Sequence, residues 1–534
     1  MAKCCQQSIG KSLWPGIIVS FFLSSTIILI VFSLWLYMPS ISLKEFIDDG
    51  YLWHVIGFTF WQALFSTLLS VIPAIFIAKS IFRRHFLGRM LLLRLYSMIF
   101  VLPVLVVIMG LFTVYGRMGW IAKLFRLLGI DYEFNIYGFR GILLAHMFFN
   151  MPLAIRMLLQ SLESIPVEQR QLAAQLSMNQ WNFFRFVEWP YLRRQILPTS
   201  SLIFMLCFTS FSTVLILGGG PSSTTIELAI YQSLSYDFDL NKASLLSLIQ
   251  VFCCLIMVLL NQNFSFSFSS GCSVQLLWKN IDDNRWRKFW DFVLINTSVF
   301  FFVLPLIAII VDGINVRLFQ VLQQPRLWNA IFNSIYIAIN SGVLCIIATI
   351  MLLWTMRELR IRRLKFFHYI FELNEILILS MPSFVLALGF FLLLNKTFNL
   401  ISSSYILIIL TNSLMSIPYA VKMLENPMYD LAERYNSLCT SLQIKGINRL
   451  YRIEFKVLKR LISQTFAFSC LLSVGDCSII MLFGNENLFT LPYYLYQQLG
   501  SYRNNDAAVT TLLLLLLCFI LFSLLDFFSG KEHD

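Results

Sequence analysis

The chain has 534 residues, of which 58% are hydrophobic, 16% aromatic and only 13% charged, against about a quarter charged in an ordinary soluble domain. A soluble globular protein is excluded, because so much apolar surface needs lipid around it. The net charge of +12 does not indicate a nucleic-acid partner, since the Lys and Arg residues do not gather on one solvated face; they sit in short loops between apolar blocks, where they report orientation in a bilayer.

A helix crossing roughly 30 Å of hydrocarbon uses about 20 apolar residues, and on that measure the chain contains about twelve spans. They are predicted at residues 17–37, 58–78, 95–114, 141–159, 199–217 and 243–260, then 289–311, 333–354, 376–394, 404–421, 461–482 and 508–526. The first block is longer than a signal-peptide core and lacks a small-residue cleavage site before Pro39, so it reads as a retained span. With the N-terminus inside, the inner segments hold 30 Lys and Arg and the outer segments 10, which places both chain ends in the cytoplasm.

Residues 261–288 are polar, Ser-rich and then charged, and read as a cytoplasmic linker between a first repeat, 1–260, and a second, 289–534. Features return in order on either side. Leu52-Trp53, Thr59 and Ser66 match Leu327-Trp328, Ser334 and Ser341, while Leu102-Pro103 and Gly110 match Met381-Pro382 and Gly389. A constant offset of 266 then pairs Pro152 with Pro418, Arg156 with Lys422, Leu176 with Leu442, Glu188 with Glu454 and Arg194 with Arg460. Near the end of each half, Tyr231-Gln232 and Leu234 match Tyr496-Gln497 and Leu499. Two six-span halves of the same orientation are expected to be related by a pseudo-two-fold axis along the membrane normal. The fold class is therefore an all-α membrane protein.

Residues 162–198 form a loop too polar to cross lipid and too patterned to be formless. Leu172, Ala173 and Leu176 give one helical face, and Asn179 can cap a second short helix running to Pro190. Small residues at Ala173, Ala174 and Ser177 keep the turn between them low, as a docking surface requires. A passive amphipathic helix on the inner leaflet is the competing reading. The recurrence of the loop at 425–460 favours docking, since two related protrusions suit a two-fold partner.

This loop resembles the EAA loop of binding-protein-dependent ABC importer permeases: Glu-Ala-Ala, three residues, Gly, nine residues, Ile-x-Leu-Pro. Gln171, Leu172 and Ala173 fall at the Glu-Ala-Ala positions, Ser177 at the Gly, and Val187, Trp189 and Pro190 at Ile, Leu and Pro. In the second copy Ser437, Leu438 and Cys439 replace Glu-Ala-Ala, Gln443 replaces Gly, Ile453 remains, and Lys456 stands at the Pro position. The resemblance implies a type I importer permease whose two loops dock on two copies of a cytosolic ATPase; ATP and Mg would be held there.

Across nearly its whole length the chain further resembles the fused permeases of bacterial thiamine and thiamine pyrophosphate importers. The segments that carry this are Tyr51–His54, Leu69–Phe76, Glu168–Gln175, Phe183–Pro190, Thr224–Gln232, Tyr494–Gln498 and Gly500–Arg503. That resemblance implies the bacterial inner membrane, a periplasmic thiamine-binding protein as partner, and thiamine with its phosphates as cargo.

Asp476, after Gly475, falls within the eleventh predicted span, where a carboxylate costs a few kcal/mol unless paired or hydrated. It is the candidate for the translocation path, where it would attract a thiazolium with aromatic side chains adding cation–π contacts. The other reading is an interhelical hydrogen bond, and it gains weight from the uncharged Ser210 at the equivalent position of the first half.

No catalytic, cofactor or metal site is expected. The histidines at 54, 85, 146, 368 and 533 show no ligand spacing, the 11 cysteines contain no CxxC pair, and Gly10-Lys11-Ser12 lacks the first Gly of a P-loop. Alternatives are an ABC permease for another solute such as ferric iron or a polyamine, an ion-coupled secondary transporter, and a polytopic membrane enzyme. The second would need several buried ionisable residues, and the third a reactive constellation.

Overall fold

The structure, a computed structural model, describes residues 2–38, 48–130, 134–262, 285–394, 400–444, 446–485 and 488–528, and these contain helices and no strand. The first half runs α1 (Ala2–Leu36), α2 (Gly50–Arg83), α3 (Arg89–Val101), α4 (Val104–Tyr115), α5 (Trp120–Leu127), α6 (Phe139–Glu163), α7 (Val167–Gln175), α8 (Gln180–Phe183), α9 (Trp189–Phe208), α10 (Phe211–Leu217), α11 (Ile226–Ser235) and α12 (Leu240–Gln262). The second half runs α13 (Arg285–Gly313), α14 (Leu318–Leu322), α15 (Pro325–Ile361), α16 (Lys365–Leu379), α17 (Ser383–Leu394), α18 (Leu400–Ser441), α19 (Ile447–Arg449), α20 (Phe455–Gly475), α21 (Ser478–Phe483), α22 (Leu491–Gly500) and α23 (Asn504–Phe528). Most of the expected linker, 263–284, lies outside the described residues, and Arg285–Lys288 already belong to α13.

Among the described residues ten helical segments are long and apolar enough to cross a bilayer, and two bent pairs bring the number to twelve. Several expected spans are displaced because the chain breaks inside them. Pro103 removes a backbone donor and drives Leu102 into extended backbone, so the third crossing lies at Val104–Leu127 rather than 95–114. The matching Met381-Pro382 separates α16 from α17 at a bend of 92°. The fifth predicted span bends by 55° between Phe208 and Phe211, and the eleventh ends at Gly475, just before Asp476.

The opening helix of each half lies against the other half. On one side, the backbone N–H of Gly16 in α1 donates to Thr355 Oγ1 in α15 at 2.9 Å, and Asn374 in α16 bonds to both Ser20 and Ser24. On the other, Asp291 in α13 accepts Ser80 of α2 at 3.0 Å and pairs at 2.7 Å with Arg84, the residue that follows α2. Tyr96 meets Ser298 at 2.8 Å, and Thr113 donates to Asp312 at 2.6 Å.

Close packing rests on two glycines in matching places. A Cβ on Gly110 in α4 would stand 2.7 Å from the Pro305 carbonyl and 3.0 Å from Ile309 Cδ1 in α13. A Cβ on Gly389 in α17 would stand 2.3 Å from Ile30 Cγ2 in α1. The same offset of 279 carries Gly110 to Gly389 and Ile30 to Ile309, which is the reciprocity a pseudo-two-fold produces. Small residues let helix backbones approach where lipid offers no hydrophobic drive for association. Gly110→Ala is therefore expected to lower stability by about 1–3 kcal/mol, because the obstructing atom is backbone. Gly57→Ala, with open space around the new methyl, should leave the melting temperature in detergent unchanged or raised.

Candidate functional site

The first patterned loop begins where Pro166 ends α6 and starts α7. After α7 the chain reverses through Ser177, whose φ is +45°. The amide of Met178 bonds to the carbonyl of Ala173 at 3.1 Å and that of Ser177 to Ala174 at 3.0 Å, a helix-ending pattern that satisfies the free carbonyls. The second loop ends its helix in the same way, with Gln443 at φ +53° and Ile444 bonded to Cys439 at 2.9 Å. Ser177 and Gln443, the two residues at the glycine position of the EAA pattern, thus both adopt left-handed backbone that glycine enters without steric cost.

Two expectations about the loop need correction. Asn179 occupies the position before α8, but its side chain makes no capping bond. The second helix does not stop at Pro190: it passes through a π turn at Phe184–Glu188 and continues as α9, with Pro190 in its first turn. There the missing donor is tolerated. An equivalent π turn, Leu450–Glu454, precedes α20. The halves differ at the loop entrance. Ala432 takes the register position of Pro166, and α18 runs unbroken from Leu400 to Ser441 through the second loop.

Of the residues singled out from the pattern, Ala173 (3% exposed), Cys439 (1%) and Val187 (8%) face inward. Ala174, Pro190 and Ile453 are half-buried, and Gln171, Leu172, Ser177, Ser437, Leu438 and Gln443 are exposed. Ala173 and Cys439 pack beneath the turn instead of forming its outer surface. That surface is apolar: Leu172, Leu176 and Trp181 are exposed on one loop, and Leu438, Leu442 and Ile447 on the other. The offset of 266 superimposes the two triads.

Buried carboxylates tie both loops to the long second helix of their half. Glu188, at the end of the first π turn, forms an ion pair with Lys79 at 3.0 Å and lies 3.8 Å from Arg83, both on α2; Lys79 also sits 3.5 Å from the ring centre of Phe184. Glu454, its register partner, pairs with Arg357 of α15 and with Arg449 at 3.1 Å, while Arg449 holds the carbonyl of Ala432 at 3.1 Å. The sequence flagged these glutamates only as matched positions. Breaking a buried pair leaves an uncompensated charge, at about 3–5 kcal/mol. Glu454→Ala should approach that cost, since the Arg357 side chain is fully enclosed, whereas Lys79 and Arg83 retain 17% and 23% exposure. Thermal unfolding in detergent should therefore show a larger loss for Glu454→Ala than for Glu188→Ala.

Asp476 does not lie within a helix. It is extended, between α20 and α21, and its carboxylate accepts the amide of Ser478 at 2.9 Å. Its hydrogen bonds among the described residues go to Ser478 and Ile479 in the first turn of α21, the next helix of its own half. Ser210 occupies the matching break and bonds to the carbonyl of Cys207 at 2.8 Å. The interruptions at 102–103, 209–210, 381–382 and 476–477 meet between the halves. Gly475 approaches Pro103, and the rings of Phe211 and Phe384 stack across the interface with centroids 5.0 Å apart.

A further carboxylate, missed in the sequence because it lies in a short helix outside any predicted span, is the buried Glu227 at the start of α11. It accepts Gln250 Nε2 at 3.0 Å. The α11 N-terminus is held by Thr59 Oγ1, which accepts the amide of Ile226 at 3.0 Å, and Ser334 does the same for Leu491 in the other half at 2.7 Å.

Folding also assembles a His368, Glu372 and Glu425 cluster whose ligand atoms lie within 4.8 Å of one another, which the spacing of the histidines did not suggest. Lys422, 3.0 Å from Glu425 and 3.8 Å from Glu375, already supplies a cation there. Gly10–Ser12 lies inside α1 rather than in a strand-to-helix loop.

Comparison with known proteins gives a consistent picture. The family described as "binding-protein-dependent transport system inner membrane component" matches residues 71–269 and again 361–532. The thiamine transport system permease protein of Salmonella typhimurium is 52% identical over 100% of this chain and 99% of its own length. That of Escherichia coli is also 52% identical, with the same coverage. That of Haemophilus influenzae is 43% identical over 92% of this chain and 91% of its own.

Proposed function

This chain belongs to the binding-protein-dependent transport system inner membrane component family, and on that premise we propose that it is the membrane subunit of an ABC importer bringing thiamine, and its phosphates, into a bacterial cell. It works in the inner membrane with both ends in the cytoplasm. A periplasmic binding protein delivers cargo to its outer face, and two copies of a cytosolic ATPase bind ATP and Mg beneath it. The chain itself makes and breaks no bond. Its work is alternating access, in which movement of the ATPase pair swings the two halves about their common interface.

The observation that carries this reading is the duplicated loop: two turns of the same geometry, each presenting three exposed apolar side chains and each fixed to a spanning helix by a buried carboxylate. An exposed apolar patch of this kind on an otherwise polar loop suits a partner's groove. Glu188 and Glu454 make each loop move with α2 and α15, so a push on the turn reaches the spans instead of being absorbed by a flexible tether. Residues Gln171, Leu172, Ala174 and Ser177 would contact the first ATPase and Ser437, Leu438 and Gln443 the second, while Ala173, Val187, Cys439 and Ile453 shape the loops from below.

Leu176→Glu and Leu442→Glu place a charge in each apolar triad without touching the buried pairs. Each is expected to weaken copurification of the ATPase at least about tenfold and to stop uptake of radiolabelled thiamine, with permease levels and melting temperature unchanged. Full ATPase recovery and uptake with both substitutions present would overturn the docking assignment. Uptake by the reconstituted permease alone, driven by a pH gradient, would overturn the importer reading itself.

A further inference from the structure

Two carboxylates stand near the joint between the halves, Glu227 from the first and Asp476 from the second, and neither has a counterpart in the repeat. Glu227 corresponds to Pro492 and Asp476 to Ser210. Gln250, which holds Glu227, is at the middle of the span Leu240–Leu259, so Glu227 lies deep in the bundle. It is 2% exposed, its Oε2 has no hydrogen-bond partner, and it is near enough to Asp476 for the two charges to interact. Among the described residues neither acid is ion-paired with a Lys, Arg or His. Carboxylates that stay charged inside a helix bundle are costly without a compensating cation.

Beside the acids stand aromatic rings from both halves. Tyr231 packs edge-on against Phe211 at 5.4 Å, Phe384 at 6.0 Å and Tyr236 at 6.1 Å. Tyr231 and Tyr496, the repeat-matched pair, are close enough to interact with each other and with Cys477, the neighbour of Asp476. Aromatic faces bind cations of delocalised charge, and more strongly when water is excluded.

We propose that Glu227 and Asp476, flanked by Tyr231 and Tyr496, form a binding site inside the permease for an organic cation of delocalised charge, the thiazolium of the cargo. This inference rests on the cargo class proposed above, since a neutral or anionic solute would gain nothing from it. The acids come from non-equivalent positions, so the site lies off the pseudo-two-fold and suits a ligand that lacks such symmetry. Cargo is then selected a second time after the binding protein releases it.

The test uses the whole permease–ATPase complex in lipid nanodiscs without the binding protein, probed by equilibrium dialysis with labelled thiamine and with an N-benzylthiazolium salt. Glu227→Gln and Asp476→Asn remove charge while retaining oxygen acceptors for the Gln250 and Ser478 bonds. Each is expected to weaken binding of both cations about tenfold, and neutral thiochrome should not bind the unaltered complex. Saturable cation binding of unchanged affinity in the double variant would overturn the site, as would variants that lose only thermal stability. If the unaltered complex binds the thiazolium salt, and the substitutions abolish this, but vesicles accumulate no thiamine, the cargo assignment falls and the cation site stands.

Discussion

Backbone amides and carbonyls at membrane depth have no water to bond with, so a spanning chain either stays helical or hides its irregularities inside protein. That constraint organises this molecule. The interruptions at 102–103, 209–210, 381–382 and 476–477 are kept away from lipid and meet between the halves, where side chains and neighbouring helices satisfy what the helices release. A bundle whose weak points share one interface has a natural place to open. The rest of each half, bound by the close contacts of its second helix with the helix that leads into its loop, can move as a unit.

Much of this was legible in the sequence, because the features that specify it are local. Apolar length gave the spans, and an offset repeated without gaps gave the duplicated loop and the matched glutamates. Pro103 and Pro382 are visible punctuation. The breaks at Ser210 and Asp476 contain no proline, so a hydropathy reading carries straight through them. Ala173 was legible as small but not as inward-facing, since one short polar helix does not reveal which face meets the protein. Gly110 and Gly389 could be seen to match each other, yet nothing local names Pro305 or Ile30 as the neighbours they must admit. Long-range pairing is a property of the packed halves and not of either segment.

The halves have diverged in ways that assign them different tasks. At the first loop a proline separates α7 from the span; at the second, Ala432 lets one helix run on to Ser441, and the anchoring carboxylate is enclosed more completely. A stiffer connection on one side and a jointed one on the other makes the two loops pass the same push unequally to their spans. The asymmetry continues at the centre, where one half contributes Glu227 and the other Asp476.

The exchange of opening helices has a consequence for how the protein is made. The bond between Gly16 and Thr355 joins residues 339 apart in the chain, and at about 5–20 residues per second of synthesis the first helix waits on the order of twenty seconds to a minute for its seat to emerge. Throughout that interval Gly16 and Ser24 face acyl chains or an insertion chaperone, and the nascent first half cannot reach its finished shape. Biogenesis is thus concerted over the whole polypeptide, and a ribosome that stalls between the halves leaves an orphan that quality-control proteases can recognise by its uncovered flank.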